Sequence, residues 1–310
     1  MLEGATLPTP PTRPFRPTRS TWSTWLSWRG PPHALWLGRN GLWDYGARPG
    51  WRRPTAPAFT VPTPDAVTPL AVTPLAVTSL VRTPPAPVPH ASFDAWCQAH
   101  PGAACELAVS SWLVHELLLD AALPLADDPA RLVYARGLLQ HYHGDEAAEW
   151  PLAAWQVAGR HGVSALHGLR LPALQHSARQ AGVALRAVRP WWSLALALAR
   201  PLVMPTALAV SASPAALWRL LVVDGSLVTQ IDLVHGTLDR LQNRFLDAAE
   251  GPALQALVDD APALACHALG HGLVAPVVLP QGLVALAPLD GPAPAALWRS
   301  VDVDQRRVVR

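Results

Sequence analysis

The closest approach to a metal-binding motif in this sequence is Cys266-His267, followed by His271. His267 and His271 stand four residues apart, so a helix would place both imidazoles on one face. Protein zinc sites use three or four ligands, and this segment supplies at most three, with no fourth partner in view. We therefore predict that Cys266, His267 and His271 hold no metal and that the chain carries no cofactor.

Ser110, Ser111 and His115 are the nearest match to a nucleophile with a base. No Gly-x-Ser-x-Gly elbow surrounds them, and no orienting acid is identified for them, so the signal is weak. The sequence also lacks a Gly-rich phosphate fingerprint, and it contains no Lys, which excludes Schiff-base and P-loop lysine chemistry. The residue types thus favour a binding protein over a catalyst.

The composition of the 310 residues indicates a folded protein with an apolar bias, because 50% are hydrophobic and only 15% are charged. The formal net charge is +2 and the Arg residues form no clustered basic face in the part predicted to fold, which argues against nucleic-acid binding. Cys97, Cys105 and Cys266 are irregularly spaced and predict reduced thiols in the cytoplasm rather than a disulfide framework.

Two Pro-rich stretches divide the chain. Residues 1–32 are rich in Pro, Trp and Arg and are predicted to be a disordered tail, although Trp22, Trp25 and Trp28 have the spacing of a short membrane-surface or partner-binding anchor. Residues 54–89 form a Pro-rich loop that contains an AVTPL repeat. We predict a first subdomain over residues 33–200, with this loop inserted, and a second over residues 201–310.

Hydrophobic periodicity, caps and turn residues predict the elements between these stretches. The strongest turn signals are Gly38-Arg39-Asn40-Gly41, Gly182 after a helix, and Asp224-Gly225 between two apolar runs. The predicted elements are a hairpin at 33–45, helices at 92–100, 129–143, 171–181, 237–249 and 252–258, and strands at 106–111, 163–166, 183–188, 207–211, 217–223 and 226–233.

The order of these elements resembles a known family. The quoted stretches are the arm at 149–155, the helix with its Ala-Gly-Val end at 171–183, the strand and return helix at 185–195, and the end of the meander at 234–236. Together they are similar to the actin-like cytoplasmic proteins that assemble type IV pili and to the cytoplasmic domain of the related type II secretion platform protein, the PilM and GspL type. The resemblance implies an α/β, actin-like or RNase H-like fold of two subdomains with mixed sheets.

The nucleotide site implied by this family is degenerate here. Actin-like ATPases hold Mg²⁺-nucleotide between two hairpins whose turns carry Asp-x-Gly. The first hairpin has Gly38, Arg39, Asn40 and Gly41, and the second is placed at residues 210–213, where Ser211 and Ser213 stand; neither turn carries a carboxylate. Since Mg²⁺ requires oxygen ligands, usually acidic, ATP hydrolysis is not expected.

These observations predict a non-catalytic scaffold of a pilus or secretion assembly platform, located in the cytoplasm at the inner-membrane face. Its expected partners are assembly proteins, among them a membrane-anchored partner peptide and an assembly ATPase, and no nucleic acid. Two alternatives stay open. One is a metal-dependent hydrolase using His267 and His271, and the other is a degenerate actin-like protein that still binds nucleotide.

Overall fold

The computed structural model describes residues 32–39, 41–47, 87–203, 217–260 and 264–294. These residues form thirteen β-strands and five α-helices. The strands are β1 (His33–Gly38), β2 (Gly41–Ala47), β3 (Val88–His90), β4 (Ala104–Val109), β5 (Val114–Leu118), β6 (Leu152–Val157), β7 (Arg160–Leu166), β8 (Ala184–Pro190), β9 (Leu217–Asp224), β10 (Leu227–Val234), β11 (Thr237–Phe245), β12 (Ala265–His271) and β13 (Leu283–Ala285). The helices are α1 (Phe93–Ala99), α2 (Asp128–His143), α3 (Leu171–Gln180), α4 (Trp191–Val203) and α5 (Gln255–Asp259).

Two five-stranded sheets share one topology. The first has the order β3-β2-β1-β4-β8 and the second the order β11-β10-β9-β12-β13. In each sheet, the three strands that come first along the chain form an antiparallel meander. The last two strands, β4 and β8 or β12 and β13, run parallel to β1 or β9. The second strand is therefore antiparallel to all the others. This is the RNase H-like sheet, and two copies in one chain make the actin-like arrangement, which confirms the predicted fold class.

A small third sheet is formed by the residues between β4 and β8, two strands of the first sheet. It has the order β5-β7-β6, is wholly antiparallel, and is covered by α2. Ala135 and Leu139 on α2 are buried against Val163 and Ala165 of β7. The insertion follows β4 and returns the chain to α3, so it enlarges the first half without changing the strand order of the first sheet.

Local capping explains where the predicted helices begin and end. Ser92 caps α1 by accepting a 3.1 Å hydrogen bond from the backbone nitrogen of Ala95, as predicted. Gly182, with φ of 66°, follows α3, and the nitrogen of Val183 donates to the carbonyl of Ala178 at 2.7 Å. This is the Schellman arrangement that the glycine predicted.

The two large sheets share one hydrophobic core. Trp191 and Trp192 at the start of α4 are almost completely buried, and they pack in one cluster with Trp36 of the first sheet and with Trp218 and Leu220 of the second. Because aromatic side chains bury large apolar areas, this layer couples the two halves strongly. None of the helices formed by the described residues has the length and hydropathy of a membrane-spanning segment.

The predicted helix at 237–249 is wrong, since β11 occupies this segment. The prediction relied on Leu238, Leu241 and Phe245, whose spacing of three and four residues is typical of a helix, but Phe245 is exposed at the end of β11. The β10–β11 register shifts between Asp232, which pairs with Arg240, and Leu233, which pairs with Leu238. This bulge adds one residue to β11 and places both leucines on the buried face.

Several sequence predictions fall outside the described residues. They concern the tail at 1–32, of which only residue 32 is described, Asn40, the AVTPL repeat, the strand at 207–211, and Ser211 with Ser213. They stay predictions, as do the proposed subdomain boundaries.

Candidate functional site

The turns of the two equivalent hairpins meet at Trp112, and the ends of the parallel strands β4 and β12 lie beside them; we call this junction the cleft. In the first half, the nitrogen of Ser110, just after β4, donates to the carbonyl of Leu37 on β1 at 2.9 Å. In the second half, the nitrogen of Gly225 donates to the carbonyl of His271 at the end of β12 at 3.0 Å. The strand order thus brings residues more than a hundred positions apart to one site.

The location predicted for the second hairpin needs correction. In the second sheet, β9 and β10 take the place that β1 and β2 have in the first sheet. The turn of this β9–β10 hairpin contains Asp224-Gly225. The prediction that both turns lack a carboxylate is therefore wrong for the second one. Asp224-Gly225 is predicted from the sequence to be a turn. Its place as the turn of the second hairpin is missed, because that hairpin is predicted one strand too early, with its turn at residues 210–213.

Asp224 is held by groups from both halves. Its carboxylate Oδ2 accepts hydrogen bonds from the Ser110 hydroxyl and, at 3.1 Å, from the backbone nitrogen of Ser111. His271 Nε2 lies 3.2 Å from Oδ1, close enough for an ion pair but not aligned as a hydrogen bond. Asp224 is only 5% exposed, so its partners are protein groups.

A second hydrogen-bonded chain crosses the same boundary. The Thr229 hydroxyl on β10 donates to Asn243 Oδ1 at 2.8 Å. Since a hydroxyl has one hydrogen to donate, the 2.8 Å contact between Ser111 Oγ and Thr229 Oγ1 has Ser111 as donor. Ser110 and Ser111 together therefore tie the end of β4 to the second sheet at two points.

Trp112 fills the space between the two hairpin turns. Its indole nitrogen donates to the backbone carbonyl of Asp224 at 3.0 Å. The guanidinium carbon of Arg39 lies 5.2 Å from the Trp112 ring centroid, a cation–π contact, and Phe245 packs edge-on at 5.4 Å. The first hairpin thus presents a cation, not an acid, to the cleft.

Close packing fixes the first hairpin beside His271. The Trp36 ring lies edge-on to the His271 ring with centroids 4.6 Å apart, and it also lies directly under Gly38. A Cβ on Gly38 would approach the Trp36 ring to 2.3 Å, so glycine is required there. The described part of this turn, Gly38, Arg39 and Gly41, contributes no carboxylate.

These contacts set the chemistry of the site. A Mg²⁺-nucleotide site needs free carboxylate oxygens and space for phosphates. Here Asp224 is buried under Ser110 and Ser111, and Trp112 lies where the turns meet. The arrangement is well suited to fixing the two halves in one orientation.

The metal candidates from the sequence do not converge. Cys266, His267 and His271 lie on β12 rather than on a helix, so residues four apart are separated by about 13 Å along the strand. His271 contacts Asp224, while burial lowers the pKa of His267 and raises the pKa of the Cys266 thiol. The alternative of a hydrolase built on His267 and His271 therefore loses its geometric basis.

The solved structures similar to this chain include the following three. The cytoplasmic domain of EpsL, an inner-membrane component of the type II secretion system of Vibrio cholerae, has a TM-score of 0.42 and 10% identity, covering 83% of this chain and 86% of that chain. The PilM–PilN type IV pilus biogenesis complex has a TM-score of 0.42 and 12% identity, with 66% and 72% covered. A Bacteroides thetaiotaomicron protein of unknown function with an actin-like ATPase fold has a TM-score of 0.43 and 7% identity, with 87% and 94% covered.

No protein-family model matches the chain. No curated protein matches it in sequence. The fold assignment rests on the strand order of the two sheets.

Proposed function

We propose that this chain is a non-catalytic actin-like scaffold that binds partner proteins of a pilus or type II secretion assembly platform. The observation that carries the non-catalytic part is the burial of Asp224 beneath Ser110 and Ser111. This is the one hairpin-turn carboxylate among the described residues of the cleft, and its Oδ2 already accepts two hydrogen bonds. Mg²⁺ at Oδ2 would compete with these two contacts, and Oδ1 faces the buried His271 ring rather than open space.

The order of elements and the actin-like topology support the assembly role by analogy. On this proposal the chain acts at the cytoplasmic face of the inner membrane and is held there by a membrane-anchored partner, with an assembly ATPase as a further partner. A fold alone does not define a function, so the partner class needs its own test.

Nucleotide binding is tested first. Calorimetric titration of the full chain with ATP and Mg²⁺ is expected to give no binding at micromolar concentrations. Tight binding that depends on Mg²⁺ would support instead the alternative of an actin-like protein that keeps its nucleotide.

A complementation experiment separates scaffold from ATPase in the cell. Deletion of the gene is expected to abolish surface pili or type II secretion, and a plasmid copy to restore them. Asp224→Asn keeps the shape and most contacts but lacks the charge that a Mg²⁺ site needs, so it is expected to complement fully. Loss of complementation by this variant, with normal protein levels, contradicts the scaffold proposal. Normal pili and secretion in the deletion strain contradict the assembly role.

A further inference from the structure

A second polar cluster lies at the far end of the first hairpin, about 16 Å along β1 from the cleft. It consists of His33 at the start of β1, Asp44 on β2, and His100 immediately after α1, and we call it the His33–Asp44–His100 cluster. His33 Nδ1 donates a hydrogen bond to the Asp44 carboxylate, at 3.0 Å from Oδ2, and His100 Nε2 lies 3.8 Å from the same oxygen. A metal ion at this place would replace the His33 proton. One potential ligand atom from each residue falls within 4.8 Å of the other two.

The tautomer of His100 follows from its backbone contact. His100 Nδ1 lies 2.9 Å from the carbonyl oxygen of Trp96, which can only accept, so Nδ1 carries the hydrogen. In the neutral ring, Nε2 then presents a lone pair toward Asp44. At 3.8 Å the two acceptors are too far apart for a hydrogen bond. A gap between two such acceptors is electrostatically suited to a cation.

Asp44 is oriented from behind by two donors. The backbone nitrogen of Gly46 donates to Oδ1 at 2.7 Å, and the indole nitrogen of Trp96 donates to Oδ2 at 2.8 Å. Asp44 is 6% exposed and Trp96 is fully buried, so the carboxylate has little freedom to turn. The backbone of Trp96 orients His100 while its side chain orients Asp44. Such supporting contacts are typical of metal ligands.

The spacing of the donor atoms fits a small divalent ion. Zinc bonds of 2.0–2.2 Å in tetrahedral geometry put neighbouring ligand atoms about 3.3 Å apart. The two distances to Asp44 Oδ2, 3.0 Å and 3.8 Å, lie on either side of this value. All three atoms lie within 4.8 Å of one another, so binding one ion requires His33 and His100 to move closer to each other around Asp44.

We propose that His33, Asp44 and His100 bind a divalent transition-metal ion, with zinc as the probe of choice. Two imidazoles and a carboxylate suit zinc or its first-row neighbours better than Mg²⁺ or Ca²⁺. The side chains of His33 and His100 are 20% and 29% exposed, so water can complete the coordination shell. His90 on β3 borders the same side, with its ring centroid 5.8 Å from that of His100.

The ion would join β1 and β2 to the end of α1. This proposal does not rest on the proposed function, and it replaces the sequence-based expectation that the chain holds no metal. The three ligands of the ion lie far apart along the chain, so no local spacing marks them.

The test uses the full chain purified without a His tag and stripped with EDTA. Calorimetric titration with Zn²⁺ is expected to give one ion per chain, and a hundredfold excess over Kd to raise Tm by at least about 4 °C. His33→Ala, Asp44→Asn and His100→Ala are each expected to weaken Zn²⁺ binding at least about 100-fold. Trp96→Phe keeps the carbonyl but removes the indole donor, so binding is expected to fall about 10-fold.

Co²⁺ absorption provides a readout that a folding defect alone does not mimic, since bound Co²⁺ gives visible bands that depend on its ligands. These bands are expected in the wild type and to be lost in His100→Ala, with circular dichroism confirming that the variant is folded.

Two matched histidine variants serve as controls. His267→Ala removes the candidate on β12. His115→Ala removes the centre of another histidine group, where the rings of His143 and His167 lie 4.5 Å and 4.3 Å from that of His115. Both variants are expected to bind Zn²⁺ as the wild type does. Absence of Zn²⁺ binding, or binding that is lost in His115→Ala and kept in His100→Ala, overturns the proposal.

Discussion

The two sheets use the same hairpin position in different ways. His33 and Arg219 each precede the last residue of their strand by five positions, and each pairs with an acid on the next strand. Arg219 holds Asp232 through two bonds, Nε to Oδ1 at 2.6 Å and Nη2 to Oδ2 at 2.7 Å, and it is 1% exposed. A guanidinium stays charged and has no lone pair for a metal, so this pair is closed, whereas an imidazole can exchange its proton for a metal ion.

The turns of these two hairpins also differ in charge: the first carries a cation and the second an acid. The first presents Arg39, and the second keeps Asp224, but buried beneath groups of the other half. The topology therefore fixes where charged groups meet. The side chains decide whether they form a buried ion pair, as at Arg219, a hydrogen-bonded link between the two halves, as at Asp224, or a group that could bind a metal, as at His33.

The largest effect is expected at the closed pair of the second sheet. Arg219→Met leaves Asp232 buried without its main partner, and the free energy of unfolding is expected to fall by about 3–5 kcal/mol. Urea denaturation measures this. Arg240→Met is the control, because Arg240 is 41% exposed and lies 3.7 Å from the same carboxylate; its cost is expected to stay below about 1 kcal/mol. If the two variants lose equal free energy of unfolding, the buried Arg219–Asp232 pair contributes no more to stability than the exposed Arg240 contact.

The next largest loss of stability is expected at Asp224, which links the two halves through Ser110 and Ser111. Asp224→Ala leaves the Ser110 hydroxyl and the Ser111 nitrogen without their acceptor, which is expected to cost about 2–3 kcal/mol in chemical denaturation. Asp239→Ala removes an exposed acid from the same sheet and is the control, with a change of about 0.5 kcal/mol or less. If Asp224→Ala costs no more than its control, the tie does not stabilise the fold.

A pH-dependent effect is expected in the first half. Glu116 on β5 accepts hydrogen bonds from Ser164, Trp155 and Trp192, yet burial raises its pKa from 4.5 to about 8. The folded state thus binds this proton more tightly, and its contribution to stability falls as the pH rises from 4.5 toward 8.

Glu116→Gln removes this titration. Relative to the wild type, the variant is expected to gain stability as the pH rises from 5 to 8, by about 1.4 kcal/mol for each pH unit over which Glu116 is protonated only in the folded state. Denaturation curves for both proteins at several pH values measure the difference. A difference that is constant with pH would show that Glu116 is ionised throughout.

The smallest effect is expected at the first turn. Arg39→Ala removes the cation–π contact with Trp112, which is worth about 0.5–1 kcal/mol at an accessible site. Thermal denaturation should show a correspondingly small shift. A loss above about 2 kcal/mol would mean that the first turn contributes to the tie as strongly as the second.

Much of the fold could be predicted because its signals are local. The Ser92 cap, Gly182 and the Asp224-Gly225 turn mark element ends through backbone chemistry that operates within a few residues. The error at β11 has a non-local cause, since the bulge opposite Asp232 depends on pairing with β10.

The candidate sites were mostly beyond the reach of pattern reading. The His33–Asp44–His100 cluster draws its residues from two strands and a helix end, and the tie at Asp224 joins it to Ser110, which is 114 residues away. No periodicity links such positions. His267 and His271 appeared paired only because a helix was assumed, and a strand separates them.

The sequence by itself determined the order and type of most elements, and through that order the actin-like class, because helix caps, turns and hydrophobic periods act over short distances. Only the tertiary structure decided which polar groups meet. The strand order places β4 beside β1 and β12 beside β9, and burial then requires each polar group to find a partner from whichever element packs against it. That requirement pairs Asp224 with Ser110 and Asp44 with His33 and Trp96, although nothing near them in the sequence marks the match.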